Sequence, residues 1–220
     1  MNNNKGPGFF ITLEGIEGSG KTTHARRLFS FLEEANVPSL LTREPGGTPV
    51  GEKVRELLLN PESGAMDPLT ETFLLEASRR EHVTEVISPA LQAGKVVICV
   101  RFTDSTLAYQ GYGRGVPLSH LHCLNNIATG GIVPDLTLLF DVEPEVGLAR
   151  SFSRTEEKEL RFEKEFLANK EFLLAVRDGY LQLVKEYPHR FMVVNTTEHS
   201  KEEVFALVRE TIWQKLEKRG

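Results

Sequence analysis

The segment Gly15-Ile16-Glu17-Gly18-Ser19-Gly20-Lys21-Thr22 constrains this chain more than any other. Its G-x-x-x-x-G-K-[ST] spacing follows the short, apolar, β-rich run Phe9-Phe10-Ile11-Thr12-Leu13-Glu14. A helical pattern runs on from Lys21 to about Ala35. Strand, glycine-rich loop and helix in that order turn main-chain N–H groups inward around phosphates and add the positive end of the helix dipole. Lys21 then reaches the β- and γ-phosphates. The Thr22 hydroxyl is placed for Mg²⁺, which prefers hard oxygen ligands. The expected nucleotide-binding residues are Gly15, Glu17, Gly18, Ser19, Gly20, Lys21, Thr22 and Thr23. A GTPase would also carry N-K-x-D, but the mid-chain Asn169-Lys170 continues as Glu171-Phe172. The loop therefore establishes nucleotide binding without naming the acceptor.

Further apolar runs at 39–42, 96–100, 136–142 and 191–194 alternate with helical patterns at 50–59, 67–93, 118–129, 144–154, 162–185 and 200–218. Alternation of this kind predicts an α/β fold, a five-stranded parallel sheet with helices on both faces, of P-loop NTPase type. Within 67–93, Phe73, Ala77, Val83, Val86, Ala90 and Leu91 are spaced to face the core. No repeat or linker divides the 220 residues, so a flexible tail over 1–8 and one domain over 9–220 are expected.

Lys and Arg total 26 against 31 Asp and Glu, a net charge of −5, so no diffuse field draws the molecule to nucleic acid or anionic lipid. No apolar run approaches the ~18 residues of a membrane span, and the first residues lack the apolar core of a leader. The two cysteines, Cys99 and Cys123, lie in strand-like and helix-like runs and read as buried thiols, which suits a cytoplasmic protein. His120 and His122 are two apart on a helix and diverge, so with Cys123 they make no tetrahedral site. His24, His82, His189 and His199 accompany no positioned nucleophile.

Several stretches together resemble bacterial thymidylate kinases: the loop, Thr42-Arg43-Glu44-Pro45-Gly46-Gly47-Thr48, Ala77-Ser78-Arg79-Arg80, the run from Arg101 to Gly111, and Pro134-Asp135-Leu136-Thr137. The resemblance spans Phe10 to at least Thr197. It implies phosphoryl transfer from Mg-ATP to dTMP, giving dTDP and ADP. It places Arg101 at the acceptor phosphate, Arg79 at the thymine carbonyl, Ser105 or Thr106 at the base edge, Tyr109 beside the deoxyribose and Gln110 in closing the pocket. Pro45 and Leu75 join that pocket, and Glu17 approaches the 3′-hydroxyl or the metal. Arginine's bidentate donors and an aromatic wall suit such a ligand.

Family members carry a basic residue either inside the phosphate loop or in a mobile lid. Gly18 holds the loop position here, so the lid, about 150–163, should supply the charge. Arg150 and Arg154, four apart, share a helix face, and Arg154 is the preferred cation. Glu163 is implied as a metal-side carboxylate together with Glu17 and Thr22. Two positions depart from the family: Val100 replaces an aspartate before Arg101, and Leu75 replaces an aromatic residue one turn before Arg79. They keep open a kinase of relaxed acceptor choice and a nucleotide-binding regulator without turnover. The resemblance also implies a homodimer packed through helices.

Overall fold

A computed structural model describes residues 8–152 and 170–218. Five parallel strands, β1 (Phe9–Glu14), β2 (Ser39–Arg43), β3 (Val96–Val100), β4 (Leu136–Asp141) and β5 (Phe191–Asn195), lie in the order β2-β3-β1-β4-β5. Around them run α1 (Lys21–Glu34), α2 (Pro49–Leu59), α3 (Pro68–His82), α4 (Ser88–Gln92), α5 (Thr103–Thr106), α6 (Leu118–Thr129), α7 (Pro144–Phe152), α8 (Lys170–Glu186) and α9 (Lys201–Glu217).

Successive strand residues point to opposite faces, and β1 shows how the sheet uses this. Phe9, Ile11 and Leu13 enter a cluster with Ala25, Leu28 and Leu32 of α1 and Val204, Val208 and Ile212 of α9. On the other face Phe10 packs with Val97, Cys99, Val83, Ile87 and Phe102. A third cluster joins Leu139 and Val142 to Leu121 of α6 and to Leu173, Val176, Tyr180 and Leu183 of α8. The second face is not uniformly apolar. Thr12 and Thr137 are within hydrogen-bonding distance, 3.0 Å, and Arg190 grips the fully buried Asp104 through both carboxylate oxygens at 2.6 and 2.7 Å. Glu14 extends this polar strip to the end of β1.

The 67–93 pattern resolves into α3, a π-helical turn (Val83–Ile87) and α4, capped by the Asp67 side chain accepting from the amides of Leu69 and Thr70. The inward placement expected for Phe73 and Ala77 is corrected: both are exposed, Phe73 by 54%. The inward face of α3 is instead polar, with Glu71, Thr72, Glu76, Ser78, Arg79 and His82 all buried. Cys99 is buried as expected, whereas Cys123 is exposed on α6. After β3, α5 runs into a second π-helical stretch (Leu107–Gly113) that apolar spacing did not reveal. At the other end of the described chain, the Gly8 amide donates to the Leu91 carbonyl at 3.0 Å.

Candidate active site

All five strands are parallel, so their C-terminal ends share one edge, the usual place for ligands in such sheets. β1 delivers the glycine-rich loop there. Gly15, Gly18 and Gly20 have φ of 135°, 69° and 95°, values open to glycine and costly for other residues. A second constraint falls on Gly18. A Cβ there would lie 1.9 Å from the Gly147 carbonyl oxygen, and one on Gly147 would lie 2.6 Å from that of Glu17. The loop and the first turn of α7 thus pass backbone against backbone, with no room for a side chain at position 18.

The Lys21 ammonium is buried inside the loop, donating to the carbonyls of Gly15 and Ile16 at 2.8 and 2.6 Å and to the Ser19 hydroxyl at 3.2 Å. Thr22 is exposed at the opening of α1 and Thr23 is half-buried. One turn into α1, His24 stacks on Phe140, centroids 5.3 Å apart, and burial followed by the nearby Arg27 charge lowers its pKa to about 4. Among the described residues no trio of His, Cys, Asp or Glu is arranged to hold a metal.

Glu17 leads from this loop to the second half of the site. Its carboxylate accepts from Arg101 Nη2 at 2.6 Å and from the Tyr109 hydroxyl at 2.8 Å. Arg101 also donates to Tyr109 and Ser105, and its guanidinium lies 4.7 Å from the Tyr109 ring centroid. The Arg101 backbone has φ 68°, the left-handed region, which costs a non-glycine residue of order 1–3 kcal/mol and persists only where surroundings over-determine it. Three ties hold that turn: the Arg101 amide donates to Leu13 O at 3.0 Å, the Phe102 amide to Glu14 Oε1 at 2.7 Å and the Cys99 thiol to the Arg101 carbonyl at 3.1 Å.

Arg79 lies deeper. Its Nε donates to Glu44 at 2.8 Å, while Nη1 reaches Glu76, Thr106 and Asn125 at 2.6, 3.0 and 2.6 Å. The Arg79 side chain is only 3% exposed, and these hydrogen bonds use its Nε and Nη1. The other Glu44 oxygen meets His82 Nδ1 at 3.0 Å, and His82 Nε2 meets the Thr42 hydroxyl at 2.6 Å. Burial works to raise the Glu44 pKa, but Arg79 and His82 outweigh it and hold it below the usual value. For Glu76 burial wins and the pKa is raised. Gln110 donates to Glu71 at 2.9 Å, and Arg114 binds the same carboxylate. Pro45, after a cis Glu44–Pro45 peptide, is half-buried, as is Leu75, one turn before Arg79.

The structure thus brings Glu17, Arg101, Ser105 and Tyr109 into one connected cluster and joins Thr106 to Arg79 beside it, while the bonds of Lys21 to Gly15, Ile16 and Ser19 stay within the loop that Glu17 belongs to. Arg150 Nη1 donates to the Thr196 carbonyl at 2.8 Å, tying α7 to the end of β5. Arg154, Glu163 and most of the expected lid lie outside the described residues. Sequence reasoning missed Glu14, Glu44, Glu76 and Asn125 altogether, and it set His82 aside. The signal for Glu44 was its place inside the 42–48 stretch and for Glu76 its spacing of three from Arg79 on one helix; Glu14 and Asn125 meet their partners only in space.

The family model described as thymidylate kinase matches residues 13–208. A thymidylate kinase of Desulfosudis oleivorans is 50% identical over 191 residues, covering 84% of this chain and 88% of that protein. One of Citrifermentans bemidjiense is 47% identical over 217 residues, covering 97% and 95%. Among solved structures, the crystal structure of thymidylate kinase from Ehrlichia chaffeensis superposes with a TM-score of 0.75 at 37% identity, covering 94% of this chain and 100% of that one.

Proposed function

Because the chain belongs to the thymidylate kinase family, and on that account is a kinase that phosphorylates dTMP, we propose a division of labour in which the glycine-rich loop holds Mg-ATP and the Arg79–Arg101 half holds dTMP. The observation that carries this reading is the Glu17–Arg101–Tyr109 cluster, which joins the loop directly to the arginine pocket.

An acceptor phosphate has a second pKa of about 6, so its oxygen is anionic at neutral pH and needs no general base. The remaining work is alignment and charge neutralisation. Lys21 exchanges its carbonyl partners for phosphate oxygens. Arg101, partly exposed at 20% of its side-chain surface, turns its guanidinium to the acceptor phosphate. Tyr109 walls the sugar side, with Glu17 near its 3′-hydroxyl. Arg79 Nη2 and the Thr106 hydroxyl meet the base edge, and Gln110, Pro45 and Leu75 close the pocket. A Mg²⁺ ion, when bound, offsets the β- and γ-phosphate charge. The exposed Thr22 hydroxyl and the Glu17 carboxylate are hard oxygen donors of the kind Mg²⁺ prefers and would hold it, with Glu163 as a further carboxylate. With position 18 blocked by Gly147, the additional cation comes from elsewhere, and Arg154 and Arg150 are assigned to it.

The chain acts as a homodimer in the cytoplasm. Support for the dimer comes from exposed apolar residues on α3 and the two helices packed against it, Val50 and Leu57 on α2, Leu69 and Phe73 on α3, and Ile127 on α6. No described helix is long and apolar enough to cross a membrane. Sedimentation showing a monomer at micromolar concentration would remove the dimer.

The decisive assay couples ADP release to each of a panel of nucleoside monophosphates. Turnover with dTMP, and at most weak turnover with dUMP, is expected. Comparable rates with purine acceptors would mean that Leu75 has relaxed the pocket. ADP release that ignores the acceptor, or survives Lys21→Ala, would break the proposed division.

A further inference from the structure

Glu14 closes β1 and is fully buried beneath the acceptor half of the site. Both carboxylate oxygens are used. Oε1 accepts from the Phe102 amide at 2.7 Å; Oε2 accepts from the Ser105 hydroxyl at 2.6 Å and from the Tyr180 hydroxyl at 2.9 Å. Each partner bears on Arg101. Phe102 N belongs to the peptide that leaves the left-handed Arg101, and Ser105 Oγ accepts from Arg101 Nη1 at 3.2 Å. Tyr180 also lies 2.9 Å from Ser105 Oγ and packs its ring edge-on to Tyr109, the second neighbour of the guanidinium. Val100, the residue before Arg101, contributes nothing here, because its side chain packs into the apolar cluster beneath α1 and α9.

We propose that Glu14 is a positioning residue for phosphoryl transfer, whose carboxylate locks the Arg101 turn and the Ser105 hydroxyl and so aims the guanidinium at the acceptor phosphate. The proposal rests on the assignment of Arg101 to that phosphate. The ionised form accepts from the Phe102 amide and both hydroxyls at once, whereas a proton on Oε2 would be donated to one hydroxyl oxygen and that hydroxyl's own proton would turn away from Glu14. Burial, then the neighbouring Asp104, push its pKa up to about 7, against Ser105, Arg101 and Tyr180, which lower it. The other ionisable groups that feel its charge are Arg79 on α3, Cys99 on β3 and Arg190 before β5. The enzyme thus has a carboxylate whose ionisation state governs how firmly Arg101 is held.

The test compares the full-length enzyme with Glu14→Gln and Tyr180→Phe. Glutamine keeps one acceptor but places a donor against two hydroxyls. Misplacing a reacting group by about 1 Å costs roughly 100-fold, so a fall of that order in kcat/KM for dTMP is expected, carried chiefly by kcat, with KM for ATP unchanged. Below about pH 7 the unsubstituted enzyme loses kcat/KM in a step additional to the ionisation of dTMP itself, and Glu14→Gln lacks that step. Tyr180→Phe keeps the packed ring and removes one donor to the carboxylate, so the step moves to higher pH in a protein that folds normally. The unsubstituted enzyme, assayed alongside, reports on the acceptor assignment by itself. If it turns over dTMP while Glu14→Gln retains its constants, or while Tyr180→Phe retains its pH profile, the role given to Glu14 is overturned.

Discussion

The two halves of the site are made from different material. In the proposed division, the donor side uses main-chain amides and one lysine from a single run, Gly15 to Thr22, whose glycines stand at positive φ. The proposed acceptor side uses side chains from β1, β2, α3, α5, α6 and α8, with Arg79 in buried ion pairs to Glu44 and Glu76 and the partly exposed Arg101 against Glu17 with Glu14 below. A backbone site depends on conformation and tolerates the loss of one charge. A side-chain site is also part of the core, where removing one member strands the others.

The largest effect should therefore fall on the acceptor side. Arg79→Ala leaves two buried carboxylates uncompensated and should cost about 3–5 kcal/mol of stability in urea unfolding. If stability were unchanged, the contrast between the halves would fail. Next, Lys21→Ala should cut kcat by about 100- to 1,000-fold, the range for loss of one charge-stabilising donor, while shifting the unfolding midpoint little. A stability loss matching that of Arg79→Ala would show that the loop, too, is held together by charge. Smaller again, Gly18→Ala forces a non-glycine residue into the left-handed region, about 1–2 kcal/mol, and pushes against the Gly147 carbonyl; both unfolding and ATP titration should register it.

The smallest effect is a difference of slope with pH. His24, behind the donor loop, has its pKa lowered from 6.5 to about 4, so the unfolded chain takes up its proton first. Its contribution is complete above pH 6.5 and is lost as pH falls toward 4. Glu14, below the acceptor pocket, has its pKa raised from 4.5 to about 7, so the folded chain holds the proton longer and stability declines as pH rises through that window. Calorimetry of His24→Phe and Glu14→Gln across this range should flatten slopes of opposite sign. Slopes of the same sign would remove the distinction.

The same contrast explains what could be read from the sequence. All five strands lie within a residue or so of the expected apolar runs, most plainly the central β1, β3 and β4, which are buried on both faces and so consistently apolar. The glycine-rich loop was legible for its own reason: its residues are contiguous. Phe73 misled because an apolar side chain on an amphipathic pattern normally points inward, yet the inner face of α3 is given over to Glu76, Arg79 and His82. The helix through 103–113 was invisible for lack of apolar periodicity, since Asp104, Ser105, Thr106 and Gln110 turn polar groups into the interior. Glu76 and Asn125 come together only through Arg79, and Asn125 lies 46 residues from it along the chain. Separations of that size carry no local signal.

The touching glycines have a mechanical consequence. With no side chain between Gly18 and Gly147, there is no compressible layer to absorb a tilt of α7, and displacement at one backbone is handed to the other without slack. An isotopic label on the Gly18 amide should consequently sense rocking of α7, and one on Gly147 should sense a phosphate arriving in the loop.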